Sequence, residues 1–114
     1  MADECHILLF STMQKGVYST SDPMWSYLWT NVYLEFSSLN IPWYAVLGNH
    51  DYGYGQSGVQ AQIDKTQEGG LWHMPALNYS QRFDLPSGSG SVEIIFIDTT
   101  TLAPSVNGAT NSKG

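Results

Sequence analysis

The stretch WYAVLGNHDYGYG, residues Trp43–Gly55, determines how the rest of the sequence is interpreted. Its first five residues are apolar or aromatic without alternation, which is typical of a strand buried on both faces. The run ends at Gly48 and is followed by Asn49, His50 and Asp51. Two interpretations of this triplet stay open from the residues alone. It is either an Asx turn with an exposed histidine or part of a phosphate-handling metal site.

The chemistry of the three side chains suits a phosphorylated ligand. The Asn49 oxygen is a neutral hard donor that a divalent metal ion accepts. His50 can donate a proton or a hydrogen bond to a phosphoryl oxygen or a leaving group. Asp51 can orient that histidine and raise its basicity.

The residues around this stretch predict an α/β fold. Ser21-Asp22-Pro23 has the composition of a helix start, and apolar residues at spacings near three and four predict a helix over Met24–Ser38. Gly48–Gly58 and EGGLWHMP have the composition of loops. The other predicted elements are a short strand over HILLF, a strand over Trp43–Leu47, a helix over Val59–Thr66, and strands over Tyr79–Leu85 and Val92–Asp98.

The element order predicts where the triplet lies in the sheet. We expect Trp43–Leu47 and Val92–Asp98 to be neighbouring strands of one sheet. Asn49 then lies at a carboxyl end, which is where ligands bind in open α/β sheets.

Composition excludes several classes of function. The formal net charge of −6, from ten acidic and four basic residues, argues against a nucleic-acid surface. No stretch approaches the roughly 18 apolar residues that span a membrane. Cys5 is the single cysteine, so an internal disulfide is excluded. No signal peptide is recognisable in the chain, and the compartment is unknown.

Five segments in order carry a resemblance to a known family. The segments are GVYSTSDPMW (Gly16–Trp25), IPWYAVLGNHDY (Ile41–Tyr52), VQAQI (Val59–Ile63), WHMPALNYSQRF (Trp72–Phe83) and IIFIDTTTL (Ile94–Leu102). In these segments the sequence resembles the metallophosphoesterase (calcineurin-like) superfamily, and within it the purple, tartrate-resistant acid phosphatases. The resemblance implies a fragment of a layered α/β sandwich, with a mixed sheet and flanking helices. Residues 16–102 are the partial domain, 1–15 are an unmatched segment and 103–114 a flexible tail.

The resemblance also implies a function. It is that of an acid phosphatase, a phosphomonoester hydrolase with two metal ions, iron plus iron, zinc or manganese. By the matching motif, Asn49 is a metal ligand, and His50 is a catalytic residue that contacts phosphate and assists the leaving group. Asp51 is a catalytic residue that supports it from behind. Family members are often secreted or lysosomal.

The sequence departs from the family where other metal ligands are expected. A Gly-Asp-Asn-Phe-Tyr motif normally precedes Gly-Val, but in an ungapped register Phe10 stands at the bridging aspartate and Met13 at the iron-binding tyrosine. The distal Gly-His-x-His motif would fall beyond Gly114. We therefore expect a fragment that lacks most metal ligands and is inactive alone. Two alternatives stay open: a non-catalytic interaction or scaffold protein derived from this fold, and an aromatic-rich ligand-binding module.

The remaining conspicuous residues are interpreted mainly as structural. The four tryptophans are expected to pack in the core. We expect His6 to be a surface or partly buried structural residue and His73 to have a structural or rim role, and we expect Asp98 to hydrogen-bond nearby loops. Tyr52 and Tyr54 are expected in a mobile loop at the mouth of the site.

Overall fold

The computed structural model describes residues 15–102 and the backbone of residues 6–10. Strands β1 (His6–Phe10), β2 (Trp43–Leu47) and β3 (Trp72–His73) form one sheet in the order β1-β2-β3. Strands β4 (Asn78–Asp84) and β5 (Ser91–Ile97) form a second sheet. The α/β class is confirmed. Cys5, Met13 and the predicted tail over 103–114 lie outside the described residues.

Strand β2 is the centre of the three-stranded sheet. It pairs in parallel with β1 from His6–Trp43 to Phe10–Leu47, and in parallel with β3 on its other edge. All of its residues except Tyr44 are buried. A strand with neighbours on both edges and cover on both faces has no polar side to present, which explains its unbroken apolar sequence.

The prediction that Trp43–Leu47 and Val92–Asp98 are neighbours in one sheet is wrong. Among the described strands, β5 pairs antiparallel with β4 and with no other strand, and the resulting hairpin is a separate sheet. Because β1 and β3 occupy both backbone edges of β2, the hairpin meets β2 through side chains instead. The Tyr79 hydroxyl donates to the Ala45 carbonyl at 2.7 Å.

The first helix, α1, is shorter than predicted and begins as expected. Helical residues run over 24–33, with a π-helical segment Ser26–Thr30 followed by the α-helical residues Asn31–Tyr33. The Asp22 carboxylate accepts the Met24 N–H at 2.9 Å, as the predicted helix start requires. The backbone of Phe36 is extended, with φ −86° and ψ 121°, and a short 3₁₀ turn follows. Ser37 and Ser38 in this turn favour caps and turns over helix interiors. The helix therefore ends before the periodic apolar pattern does.

Two predicted loops contain regular structure. The predicted loop over Gly48–Gly58 instead forms a 3₁₀ turn, Asn49–Tyr52, and the start of helix α2, Gly55–Lys65. The segment EGGLWHMP contains β3, which pairs with β2, and the Trp43 N–H donates to the Leu71 carbonyl at 2.7 Å. The Trp72 indole N–H also donates to the Gln62 carbonyl of α2 at 2.9 Å. In the described part of the chain, no helix is long and apolar enough to cross a membrane.

The four tryptophans form the centre of the core, as predicted. Trp25 and Trp72 meet edge to face with ring centroids 4.8 Å apart. Trp29 contacts Trp72 at 5.4 Å and Trp43 at 6.3 Å. All four are at most 5% exposed. Edge-to-face contacts of this kind add to the hydrophobic gain of burial, and they join α1 to β2 and β3.

Two glycines let the segment before α1 lie directly on the turn after β2. Gly16 has φ +75°, and a Cβ there would lie 2.7 Å from the Asp51 carbonyl oxygen. A Cβ on Gly58 would lie 2.6 Å from the Val17 carbonyl oxygen. Neither position accommodates a side chain without moving backbone, so this close approach depends on glycine.

The outer face of the hairpin generates a prediction about solubility. Ile95 is 68% exposed and Ile97 56% exposed, and they lie side by side on the face opposite the Tyr79–Phe96 pair. We expect the isolated chain to associate or to be loosely packed, and the double variant Ile95→Thr/Ile97→Thr to reduce light scattering. Ile94→Thr, on the inner face, is the control and is expected to give no such gain. Cooperative unfolding of a soluble monomer by the unmodified chain would contradict this expectation.

The glycine contacts generate a second prediction, tested in that double-variant background. Gly16→Ala and Gly69→Ala each place alanine at positive φ, but only Gly16 has backbone atoms within reach of the new Cβ. Gly69→Ala should lower the free energy of unfolding by about 1–2 kcal/mol. Gly16→Ala should cost a further 1–3 kcal/mol or so, since the turn must move. Urea unfolding followed by tryptophan fluorescence measures both, and equal losses would refute the close contact.

Candidate functional site

The turn after β2 presents the predicted site residues. β2 ends at Leu47, and Asn49 follows at the carboxyl edge of the sheet, as predicted. Gly48 is extended, with φ −101° and ψ 173°, and the 3₁₀ turn begins directly after it. The parallel pairing of Phe10 with Leu47 places Phe10 at the same edge of the sheet.

The three side chains of the triplet diverge from one another. In a 3₁₀ turn, successive residues are about 120° apart around the axis. Asp51 therefore points inward and is 1% exposed. His50 lies in solvent, and Asn49 is half-buried at the boundary. The turn thus offers one exposed imidazole and one partly exposed amide at the end of a buried strand.

Asp51 holds the turn in this shape. Its Oδ2 accepts the Gly48 N–H at 2.8 Å, and its own N–H donates to the Gly48 carbonyl at 3.1 Å. This reciprocal pair satisfies donors at the start of the turn, as a capping box does. Asp51 therefore acts as a turn-forming residue, as one of the two interpretations of the triplet proposed. Its hydrogen bonds to the Gly48 backbone hold the turn in the shape that leaves His50 exposed.

Tyr52 is fixed by a buried hydrogen bond that the sequence did not reveal. Its hydroxyl donates to the Asp98 carboxylate, and both residues are at most 5% exposed. Burial, reinforced by the bond to Asp98, raises the pKa of Tyr52, so its hydroxyl remains a donor. The expectation that Tyr52 belongs to a mobile loop is wrong. Two features of the sequence could have suggested this hydrogen bond: a tyrosine directly after the triplet, and an aspartate at the end of another strand.

Asp98 anchors two further segments, which confirms its predicted role. Its Oδ1 accepts the Thr100 N–H at 2.8 Å. Its own N–H donates to the Asn78 side chain at 2.9 Å. The end of β5, the start of β4 and the turn after β2 are thereby held at one point.

His73 is structural, as predicted. Its ring contacts Tyr44 at 4.8 Å and Tyr79 at 6.0 Å, both edge to face. Burial lowers the pKa of His73, which favours the neutral imidazole. The backbone of His6 lies in β1, and its side chain lies outside the described residues.

The described residues do not fit a two-metal centre on their own. Among them, no group of three or more His, Cys, Asp and Glu side chains is placed to hold a metal ion. Asn49 is a single neutral donor, whereas each hard cation takes several oxygen or nitrogen ligands. Phe10, a residue type without a ligating atom, pairs through its backbone with Leu47, two residues before Asn49.

Comparison with known proteins gives consistent similarities. The chain is 36% identical over 92 residues to tartrate-resistant acid phosphatase type 5 of Oryctolagus cuniculus, covering 81% of this chain and 27% of that protein. It is 33% identical over 87 residues to the Sus scrofa protein of that name, covering 76% and 25%. Purple acid phosphatase 7 of Arabidopsis thaliana is 34% identical over 86 residues, covering 74% and 23%. The chain thus spans about a quarter of the length of these relatives.

A solved structure supports the fold. The chain superposes on GAP50, described as the anchor in the inner membrane complex of Plasmodium, with a TM-score of 0.66 and 26% identity. The match covers 85% of this chain and 33% of that one. No family model matches the sequence. The similarities to the tartrate-resistant and plant enzymes nevertheless show that the chain belongs to the purple acid phosphatase family of metallophosphoesterases.

Proposed function

We propose that this chain is the part of an acid phosphatase-type phosphomonoester hydrolase that presents the Asn-His-Asp turn to the substrate. The observation that carries the proposal is the placement of His50. It is exposed on a turn whose next two residues are buried and hydrogen-bonded, at the carboxyl end of a central parallel strand. A rigid support for one exposed imidazole is what a positioned proton donor requires.

His50 has two successive tasks in this proposal. Its ring N–H first donates a hydrogen bond to a phosphoryl oxygen of the bound ester. As the ester P–O bond breaks, it gives a proton to the departing alkoxide or phenoxide oxygen, so that a neutral alcohol or phenol leaves. Asp51 contributes by holding the turn, because its carboxylate accepts the Gly48 N–H at 2.8 Å.

Metal ions of the family would supply charge neutralisation of the phosphoryl oxygens and a nucleophile. By the family motif, Asn49 would be one ligand of the divalent ion. A pair of iron, or iron with zinc or manganese, needs donors beyond those that the described residues bring together. The chain also carries a net charge of −6, so phosphate binding in the absence of metal ions is expected to be weak, and added cations should strengthen it.

A second candidate function is a non-catalytic scaffold. The observation that favours it is the likeness to GAP50, described as an anchor, together with a phenylalanine at the strand end where the family motif carries a bridging carboxylate. On this alternative the turn is only structural, and inorganic phosphate should not perturb the His50 ring resonances.

The proposed function leads to a prediction about a polypeptide of these 114 residues alone. It should hydrolyse p-nitrophenyl phosphate, with iron, zinc or manganese added, no faster than buffer containing the same ions. The reason is that Phe10 and Asn49 cannot assemble a two-metal site. Metal-dependent turnover that disappears in His50→Ala would overturn this expectation, and the same variant controls for contaminating phosphatase.

A further prediction tests the proposed residue roles in a full-length, active relative that matches this chain. Alanine at the position aligned with His50 should slow turnover by about 10²–10⁴-fold, the usual range for a positioned acid or base. Alanine at the Asp51 position should cost about 10–100-fold, as for an outer supporting group. Alanine at the Asn49 position should lower metal content.

Metal analysis and steady-state kinetics on these variants decide the assignment. The position aligned with His73 is the matched control, because that ring is packed between tyrosines away from the turn. Full activity after substitution at the His50 position would show that the assignment is wrong.

A further inference from the structure

Two exposed tyrosines lie in contact beside the turn that carries His50. The rings of Tyr18 and Tyr54 meet edge to face, with centroids 6.0 Å apart and an interplanar angle of 76°. Tyr18 is 53% exposed and Tyr54 43% exposed, whereas the four tryptophans of the chain are buried. We propose that this pair binds the aromatic leaving group of an aryl phosphomonoester, an inference that rests on the proposed function of His50.

The backbone places Tyr54 close to His50. The Gly53 N–H donates to the His50 carbonyl at 3.2 Å. Gly53 itself is right-handed helical, with φ −61° and ψ −25°, so the chain winds continuously from the 3₁₀ turn to Tyr54. Four residues of such winding advance roughly 6–8 Å. That separation is about the distance from a phosphorus atom to the far side of an attached phenyl ring.

Tyr18 lies in the segment before α1, and the backbone of that segment holds its ring against Tyr54. Its N–H donates to the buried Asp22 carboxylate at 2.8 Å, which fixes the backbone before α1. A Cβ on Gly58 would lie 2.6 Å from the Val17 carbonyl oxygen and 2.9 Å from the Tyr54 Cβ. The two segments are therefore in van der Waals contact, and the tyrosine pair is built on a constrained backbone.

Charge near the pair supplies little binding for a phosphate ester, so a contact with the leaving group would add to it. A Cβ on Gly53 would lie 2.6 Å from the Lys15 Cβ, so one of the four basic residues stands at this turn. With an overall charge of −6, that single cation gives limited attraction for an anion. A flat, uncharged ring seated edge to face on the tyrosines adds binding that charge does not provide.

The experiment compares phenyl phosphate with methyl phosphate, which carry the same anionic group. Both are titrated into the full chain carrying Ile95→Thr and Ile97→Thr, outside the pair, and the His50 ring resonances are followed by NMR. Phenyl phosphate should bind about 2–10-fold more tightly, the fold-change of one aromatic contact. Tyr54→Ala and Tyr18→Ala should each bring the ratio close to one and leave methyl phosphate binding unchanged. Tyr54→Phe should retain the preference.

Tyr27→Ala is the matched control, since Tyr27 is 66% exposed on α1 and outside the pair. It should leave both affinities unchanged. Equal affinity for the two esters, or a preference that survives both tyrosine-to-alanine substitutions, would overturn the inference and leave the proposed function standing. Failure of both esters to perturb His50 would overturn the proposed function, and this inference with it.

Discussion

The hydrogen bond from the Tyr52 hydroxyl to the Asp98 carboxylate is the contact on which the arrangement of the candidate site depends. It crosses between the two sheets, joining the turn after β2 to the end of β5, and both residues are buried. Removing one partner leaves the other without its hydrogen bond inside the protein, which costs about 1–3 kcal/mol. In the described part of the chain no backbone pairing joins the two sheets, so side-chain contacts fix their relative position. These are the Tyr52–Asp98 bond, the Tyr79 hydroxyl bond to Ala45 and the packing of the Tyr44 ring on Phe83 and Phe96.

The turn divides its residues between support and presentation. Asp51 and Tyr52 face inward and are hydrogen-bonded, while His50 faces solvent. The roughly 120° step of a 3₁₀ turn separates the direction of the His50 side chain from that of Asp51. The family membership of the chain gives the exposed histidine a chemical context, and Gly16 allows the neighbouring segment to close over the turn backbone.

Much of the fold could be predicted from sequence because the strongest signals were local. The unbroken apolar run gave the bounds of β2 correctly, and the capping aspartate located the start of α1. The end of α1 was missed because Leu39 and Phe36 continue the periodicity after the backbone becomes extended. The sheet partner of β5 was missed because pairing is decided by which edges of β2 are free, and that is a property of the whole fold.

The candidate site was predictable in its residues and only partly in its interactions. A strand followed by Asn49-His50-Asp51 located it, but the role of Tyr52 depended on Asp98, 46 residues away. We propose that this buried bond holds the turn on which His50 binds phosphate. Titration of inorganic phosphate against the His50 ring resonances, in the chain and in Tyr52→Phe, tests this proposal. We expect saturable shifts in the chain and weaker binding in Tyr52→Phe. No shift in either protein, or equal affinity in both, would contradict it.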